Sequence, residues 1–257
     1  MISYYQYKDK PILFAHRGMN SFAPENSLEA FQLCLENNIP AIELDVHMIK
    51  SGEIVVIHDS STKRLTKKDY TIEKLTLSEI KELDIGINFN ENFKNTKIPT
   101  LEEVFQLCSN NVLYDIEIKS NSIKNLEFAK KLWNLIRKYK LEFNTIITSF
   151  NPIAVKEFEK VSNHSLLEGA IFSKDKEVPF LLRKGLGSYM FNCNIIKPQL
   201  DLITENSVQD WKARNLKILP WCVDDQEKAI ELLNYNIMGI ISNVPEQLIK
   251  TKYFKQN

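Results

Sequence analysis

Five places along the chain carry residue types able to do acid–base or metal chemistry: His16-Arg17, Glu43-x-Asp45, His58-Asp59, Glu117-x-Lys119 and Trp221. An imidazole takes or gives a proton near neutral pH. A guanidinium grips anionic oxygens as a planar fork, and an ammonium acts on them as a point charge. Within a strand, positions i and i+2 share a face, so Glu43 stands with Asp45 and Glu117 with Lys119. Two carboxylates side by side in an apolar run repel each other unless a cation lies between them. Glu43, Asp45 and Glu117 together form a hard oxygen site suited to one divalent cation, Mg²⁺ or Ca²⁺. Zinc fits less well, since no cysteine or histidine cluster accompanies them. Each pattern also has an ordinary reading: a solvated strand face, a turn histidine, a same-face ion pair, a core tryptophan. Their shared position at the carboxyl ends of strand-like runs outweighs those readings.

Those runs alternate with helical ones. ILFAH (12–16) is followed by a stretch with apolar Leu28, Phe31 and Leu35 at helical spacing, capped by Asn26 or Ser27. Further strands are predicted at AIELDV (41–46), VLYDIEIK (112–119), TIITSF (145–150) and LLEGAIF (166–172). SYMFNCN (188–194), KILPWCVD (217–224) and MGIISN (238–243) complete the set. Helix starts are marked by the capping box Thr100 to Glu103, by Asn151-Pro152 and by Asp224-Asp225. The run IVVIHD follows strand two too closely for a helical crossover. It is therefore predicted to return antiparallel through a two-residue turn at Ser51-Gly52, setting Asp45 beside His58. With that arm set aside, eight strands remain. The predicted fold class is α/β, a (β/α)8 TIM barrel with a β-hairpin arm after strand 2, as a single domain over residues 1–257. A doubly wound open sheet is the alternative. Barrels place their chemistry at the carboxyl ends of the strands, where all five patterns fall.

Lys+Arg and Asp+Glu number 33 each, so there is no overall basic surface of the kind that coats nucleic acid or an anionic membrane. A local positive pocket remains possible. No apolar run approaches the roughly 20 residues of a membrane span. MISYYQYKDKP has no apolar signal core. Cys34, Cys108, Cys193 and Cys222 are widely spaced and read as reduced core thiols of a cytoplasmic protein. His47 and His164 carry no supporting pattern and read as structural or exposed.

The ordered set "HRG…PENS" (16–27), "IELDV" (42–46), "VVIHD" (55–59), "IPTLEEVF" (98–105) and "IEIK" (116–119) resembles the glycerophosphodiester phosphodiesterase family. That family consists of barrel enzymes of the phospholipase-C-like phosphodiesterase group. "TSF" (148–150), "WCVDD" (221–225) and "GIISNVPE" (239–246) resemble its C-terminal pieces more loosely. The resemblance implies metal-dependent hydrolysis of a small glycerophosphodiester to sn-glycerol 3-phosphate and an alcohol. It implies His16 and His58 as the catalytic pair and Glu43, Asp45 and Glu117 as metal ligands. Arg17 and Lys119 become phosphate-binding residues, and Trp221 a substrate contact, with packing in the core the other role open to it. Glu25 and Asn26 are read as supporting residues, Glu25 reaching Arg17 or His16. WCVDD stands where the family more often has Trp-Thr-Val-Asn, and ISN where it has Ile-Thr-Asp. The alternative on the same site is a lysophospholipase D or sphingomyelinase-D-like activity. That activity would require an apolar lip, for which Met19, Phe22, Phe89 and Phe93 are the candidates.

Overall fold

In the computed structural model, which describes residues 3–7, 10–120, 122 and 125–254, strands and helices alternate as predicted. The strands are β1 (Ile12–His16), β2 (Ala41–Met48), β3 (Ile54–Val56), β4 (Leu113–Ile118), β5 (Thr145–Ser149), β6 (Leu167–Phe172), β7 (Ile195–Pro198), β8 (Lys217–Ile218) and β9 (Gly239–Ser242). The helices are α1 (Leu28–Glu36), α2 (Lys63–Thr66), α3 (Leu77–Glu82), α4 (Leu101–Cys108), α5 (Leu126–Lys138), α6 (Pro152–Ser162), α7 (Glu205–Ala213), α8 (Gln226–Asn234) and α9 (Pro245–Leu248). The sheet runs β8-β7-β6-β5-β4-β2-β1-β9, all parallel, with β3 paired outside this path to β2. Three backbone hydrogen bonds bridge the seam: Met238 N–H to Ile218 O, Ile241 N–H to Pro220 O and Val223 N–H to Ile241 O, at 2.8–3.1 Å. The result is a nearly closed barrel of eight parallel strands with helices between them.

Strand parity builds the interior. Ile12 and Phe14, Ala41, Leu113, Ile146, Ile195 and Ile241 pack together from strands all round the sheet. One or two pleats further along the same faces stand His16, Glu43, Asp45, Asp115, Glu117, Thr148 and Lys197. An apolar layer thus floors the barrel, and a charged layer lies above it toward the carboxyl ends. Other apolar residues of the strands face outward to the helices, as in the contact of Ile42, Leu44 and Ile116 with Phe31, Leu101 and Phe105.

Two predicted details are corrected. The hairpin arm exists, but its register is Val46 to Val56 and Met48 to Ile54, so Asp45 faces Ile57, not His58. The turn has one residue more than predicted: Ile49 N–H bonds Glu53 O at 3.0 Å, and Gly52 sits at φ 95°, a backbone region that favours glycine. SYMFNCN is not a strand. Its aromatic alternation mimics one, but Leu186–Tyr189 forms a 3-10 turn and Tyr189 is exposed. The strand is the next segment, Ile195–Pro198, paired Gly169 to Ile195. Its Lys197 has the pattern of a surface residue, and a local pattern does not reveal the buried partner that Asp115 supplies.

Candidate active site

β2 and β4 lie side by side in a register that sets Asp45 against Glu117 and Glu43 against Asp115. Glu43, Asp45 and Glu117 are all buried, and one oxygen of each lies within 4.8 Å of the others. This is a donor set of hard anionic oxygens from two rigid strands, and it fits one Mg²⁺ or Ca²⁺. Burial first, and then the neighbouring Asp45, push the Glu43 carboxyl well above its ordinary range. Burial works on Asp45 in the same direction, but Lys119, Arg17 and the bond from Asn26 outweigh it and hold that carboxyl low. Lys119 Nζ stands 2.7 Å from Glu117 and 3.2 Å from Asp45, and Arg17 Nε stands 3.4 Å from Asp45. Arg17 Nε is buried and makes no hydrogen bond, Asp45 being its ion-pair neighbour.

The β1–α1 loop brings Arg17 in. Arg17 (φ 56°), Gly18 (φ 78°) and Asn26 (φ 57°) all take the left-handed conformation, so the chain reverses within a few residues. Ser27, not Asn26, caps α1, accepting from Ala30 N–H at 3.1 Å. Asn26 is instead buried and donates to Asp45 Oδ2 at 2.9 Å. Glu25 takes the first of its two predicted partners: Arg17 Nη1 donates to it at 2.9 Å. Arg64 also donates to Glu25, and its Nε reaches Asp59 Oδ2 at 2.6 Å. Asp59 Oδ1 in turn accepts from His58 Nδ1 at 2.7 Å. One chain of charged bonds therefore runs from Arg17 through Glu25, Arg64 and Asp59 to His58, tying β1 to the hairpin arm.

His16 has a different support. Asp224 accepts from Asn243 Nδ2 at 2.8 Å and from its backbone N–H at 2.7 Å. A carboxylate only accepts, so the Asn243 amide is fixed with Oδ1 toward His16 Nδ1, 2.7 Å away. Nδ1 must then be the donor, and Nε2 carries the lone pair, 3.9 Å from Glu43 Oε2. Burial, followed by the nearby Arg17 charge, lowers the His16 pKa to about 4, so the ring is neutral at pH 7. Cys222 Sγ lies 3.3 Å from Nδ1, but burial and then Asp224 push its thiol up to about 12. No thiolate competes there.

His16, Arg17, Glu43, His58, Glu117, Lys119 and Trp221 line one cavity of about 680 Å³ at the carboxyl ends of the strands. All the predicted site residues gather there, Asp45 beneath it and Glu25 and Asn26 behind. Trp221 meets Phe150 edge-on at 5.8 Å and donates from Nε1 to Lys197 O at 3.0 Å. His47 is buried, with its Nε2 3.2 Å from His58 O, so it steadies that residue; His164 is exposed. Of the residues offered for a lip, Met19 is buried, and Phe22, Phe89 and Phe93 are not among the cavity's lining.

Sequence reading assigned no role in the site to Asp115, Lys197, Arg64, Asp224 or Asn243. Lys197 and Asp115 form an ion pair of 2.6 Å in the interior, and Lys197 also donates to Thr148 at 3.1 Å. Burial works against the Lys197 charge, but Asp115, Glu43 and Glu117 keep it ammonium. Asp115 had a signal: it shares the face of Glu117 and Lys119 at i−2. Asp224 and Asn243 had one too, in the two departures from the family's wording.

The profile described as the Glycerophosphoryl diester phosphodiesterase family matches residues 16–247. The chain belongs to that family. A glycerophosphodiester phosphodiesterase of Caldanaerobacter subterraneus subsp. tengcongensis is 36% identical over 244 residues, 93% of this chain and 97% of that protein. Among solved structures, a glycerophosphodiester phosphodiesterase from Thermotoga maritima is similar with a TM-score of 0.74 at 27% identity, covering 93% of this chain and 97% of that one. An Oleispira antarctica phosphodiesterase, solved in complex with the product sn-glycerol-3-phosphate, shares the fold with a TM-score of 0.84 at 24% identity. That match covers 96% of this chain and 98% of the other. As a member of the glycerophosphoryl diester phosphodiesterase family, the chain is a phosphodiesterase. Among the described residues no helix is long and apolar enough to cross a membrane.

Proposed function

We propose that this phosphodiesterase hydrolyses small glycerophosphodiesters to sn-glycerol 3-phosphate and an alcohol. In this reading one divalent cation, Mg²⁺ or Ca²⁺, is held by Glu43, Asp45 and Glu117. The observation that carries it is the convergence of these three acids with two differently supported histidines at one mouth. When bound, the cation polarises a phosphoryl oxygen and acidifies a neighbouring hydroxyl. Arg17 and Lys119 neutralise the phosphate from the flank, and Trp221 with Phe150 walls the alcohol side.

His16 is the general base. Its Nδ1–H is tied to Asn243, so Nε2 takes the proton from the attacking hydroxyl. His58 is the general acid. Asp59 holds its Nδ1–H, and the imidazolium Nε2–H passes to the leaving oxygen as the P–O bond breaks. The attacking hydroxyl is assigned to the glycerol 2-OH, giving a cyclic phosphate that water opens in a second step. The histidines exchange roles in that step, His58 taking the proton of water and His16 returning its own. Rapid quench of glycerophosphocholine turnover should trap the cyclic phosphate; its absence at every time point would favour direct attack by water.

The lipid-alcohol alternative is not favoured by the named relatives or by the residues offered for its lip. Glycerophosphocholine should be turned over faster than lysophosphatidylcholine at equal cation concentration; the reverse order would replace the substrate class. Four free cysteines support a reducing, cytoplasmic compartment.

A further inference from the structure

Phe180 and Leu181, exposed to 70% and 68%, head the large apolar side chains in solvent among the described residues. They lie between β6 and β7, in a connection that leaves the carboxyl end of β6 on the mouth side of the barrel. The inner side of that connection is part of the cavity, lined by Val178, Pro179 and Leu182. Its outer side presents Phe180 and Leu181, followed by the exposed Leu186, Tyr189 and Met190.

The segment is a folded platform. Arg183 donates to Val178 O at 2.8 Å and to Lys176 O at 2.9 Å, closing the loop on itself. Arg214 lies 3.9 Å over the Tyr189 ring and donates to Ser188 Oγ at 3.0 Å. Phe180 and Leu181 are therefore held outward, and contiguous apolar exposure of this kind marks an interaction surface. The charges beside it choose the partner. Lys174, Lys176, Arg183 and Lys184 stand against only Asp175 and Glu177 in this stretch. Lys174 and Arg183 direct their hydrogen bonds to backbone carbonyls, which leaves their charges uncancelled. A second copy meeting this face symmetrically would set cations against cations, which opposes a dimer.

We propose that this connection docks the mouth of the barrel onto an anionic lipid surface. Phe180 and Leu181 enter the headgroup boundary, and the lysines lie against lipid phosphates. The net charge of zero excludes a basic face over the whole molecule but not this local one. Docking needs no turnover, so it stands or falls apart from the reaction proposed above.

The test is co-sedimentation of the full chain with vesicles of phosphatidylcholine alone or of phosphatidylcholine with phosphatidylglycerol. Binding should appear with the anionic vesicles and weaken with added salt. Phe180→Ser with Leu181→Ser should weaken it more than about tenfold. Each of Lys174→Gln, Lys176→Gln and Lys184→Gln should cost about fivefold. All these variants should keep the wild-type kcat on soluble glycerophosphocholine, which shows that they fold. The proposal is overturned if the wild type stays in the supernatant or binds neutral vesicles equally. It is also overturned if the serine variant binds as well as wild type, or if that variant instead dissolves a dimer seen by light scattering.

Discussion

Nδ1 of His16 has one oxygen to donate to, and Asp224 decides that it does. Replacing Asn243 by Leu removes that acceptor and frees the ring to adopt the wrong tautomer. The expected result is a fall in kcat of about 10²–10⁴-fold with little change in KM; an unchanged kcat would mean that the tautomer is set elsewhere. The buried neutral state of His16 also links to stability. Its folded pKa, about 4, lies below the unfolded value of 6.5, so between those values the unfolded chain holds the extra proton. This contribution is complete above pH 6.5 and is lost as pH falls toward 4, by about 3 kcal/mol in all. With chelator present, the wild type should lose that much relative to His16→Gln over this window in denaturant unfolding; a pH-independent difference would contradict it. These residues also mark how far the sequence was legible. His16, Glu43, Asp45, His58 and Glu117 could be picked out as candidates because each lies within or just after a strand-like run, toward the barrel's mouth. Asp224 and Asn243 showed only as departures from the family's wording, since their role lies in a contact between segments 19 residues apart that no local period encodes.

At the scale of elements, the β1–α1 turn is tightly packed and the interior of β7 holds a buried ion pair. Gly18 lies at φ 78°, and a Cβ there would stand 2.8 Å from Ala30 Cβ and 2.9 Å from its carbonyl carbon. Gly18→Ala should lower stability by more than about 1 kcal/mol and reduce activity through the displaced Arg17. A stable, fully active variant would show that the loop has other paths. Lys197→Met leaves Asp115 buried without its partner and should cost about 3–5 kcal/mol; Lys197→Met with Asp115→Leu should recover most of it. Equal loss in both variants would mean that the pair is not what holds β7 to β4. β7 was misplaced because an interior lysine reads as surface until its partner is known, and the alternation of Tyr189, Phe191 and Cys193 offered a better-looking strand. The hairpin slipped by one residue because turn length, not strand composition, sets register.

For the whole molecule, the barrel divides its labour by height: an apolar floor, a charged layer above it, and loops that supply Arg17, His58 and the mouth. This division was readable from strand parity and from the βα alternation across the chain. The seam between β8 and β9 was less so, because only Lys217–Ile218 keeps regular strand geometry before Pro220 and Trp221. The central claim is that Glu43, Asp45 and Glu117 hold the cation that hydrolysis needs. It is tested most directly by glycerol 3-phosphate release from glycerophosphocholine by chelator-stripped chain, before and after Mg²⁺ or Ca²⁺ is returned. The stripped wild type should be inactive and recover with either cation, while folded Asp45→Ala stays inactive throughout. Full activity of the stripped chain, or equal recovery by Asp45→Ala, would contradict it.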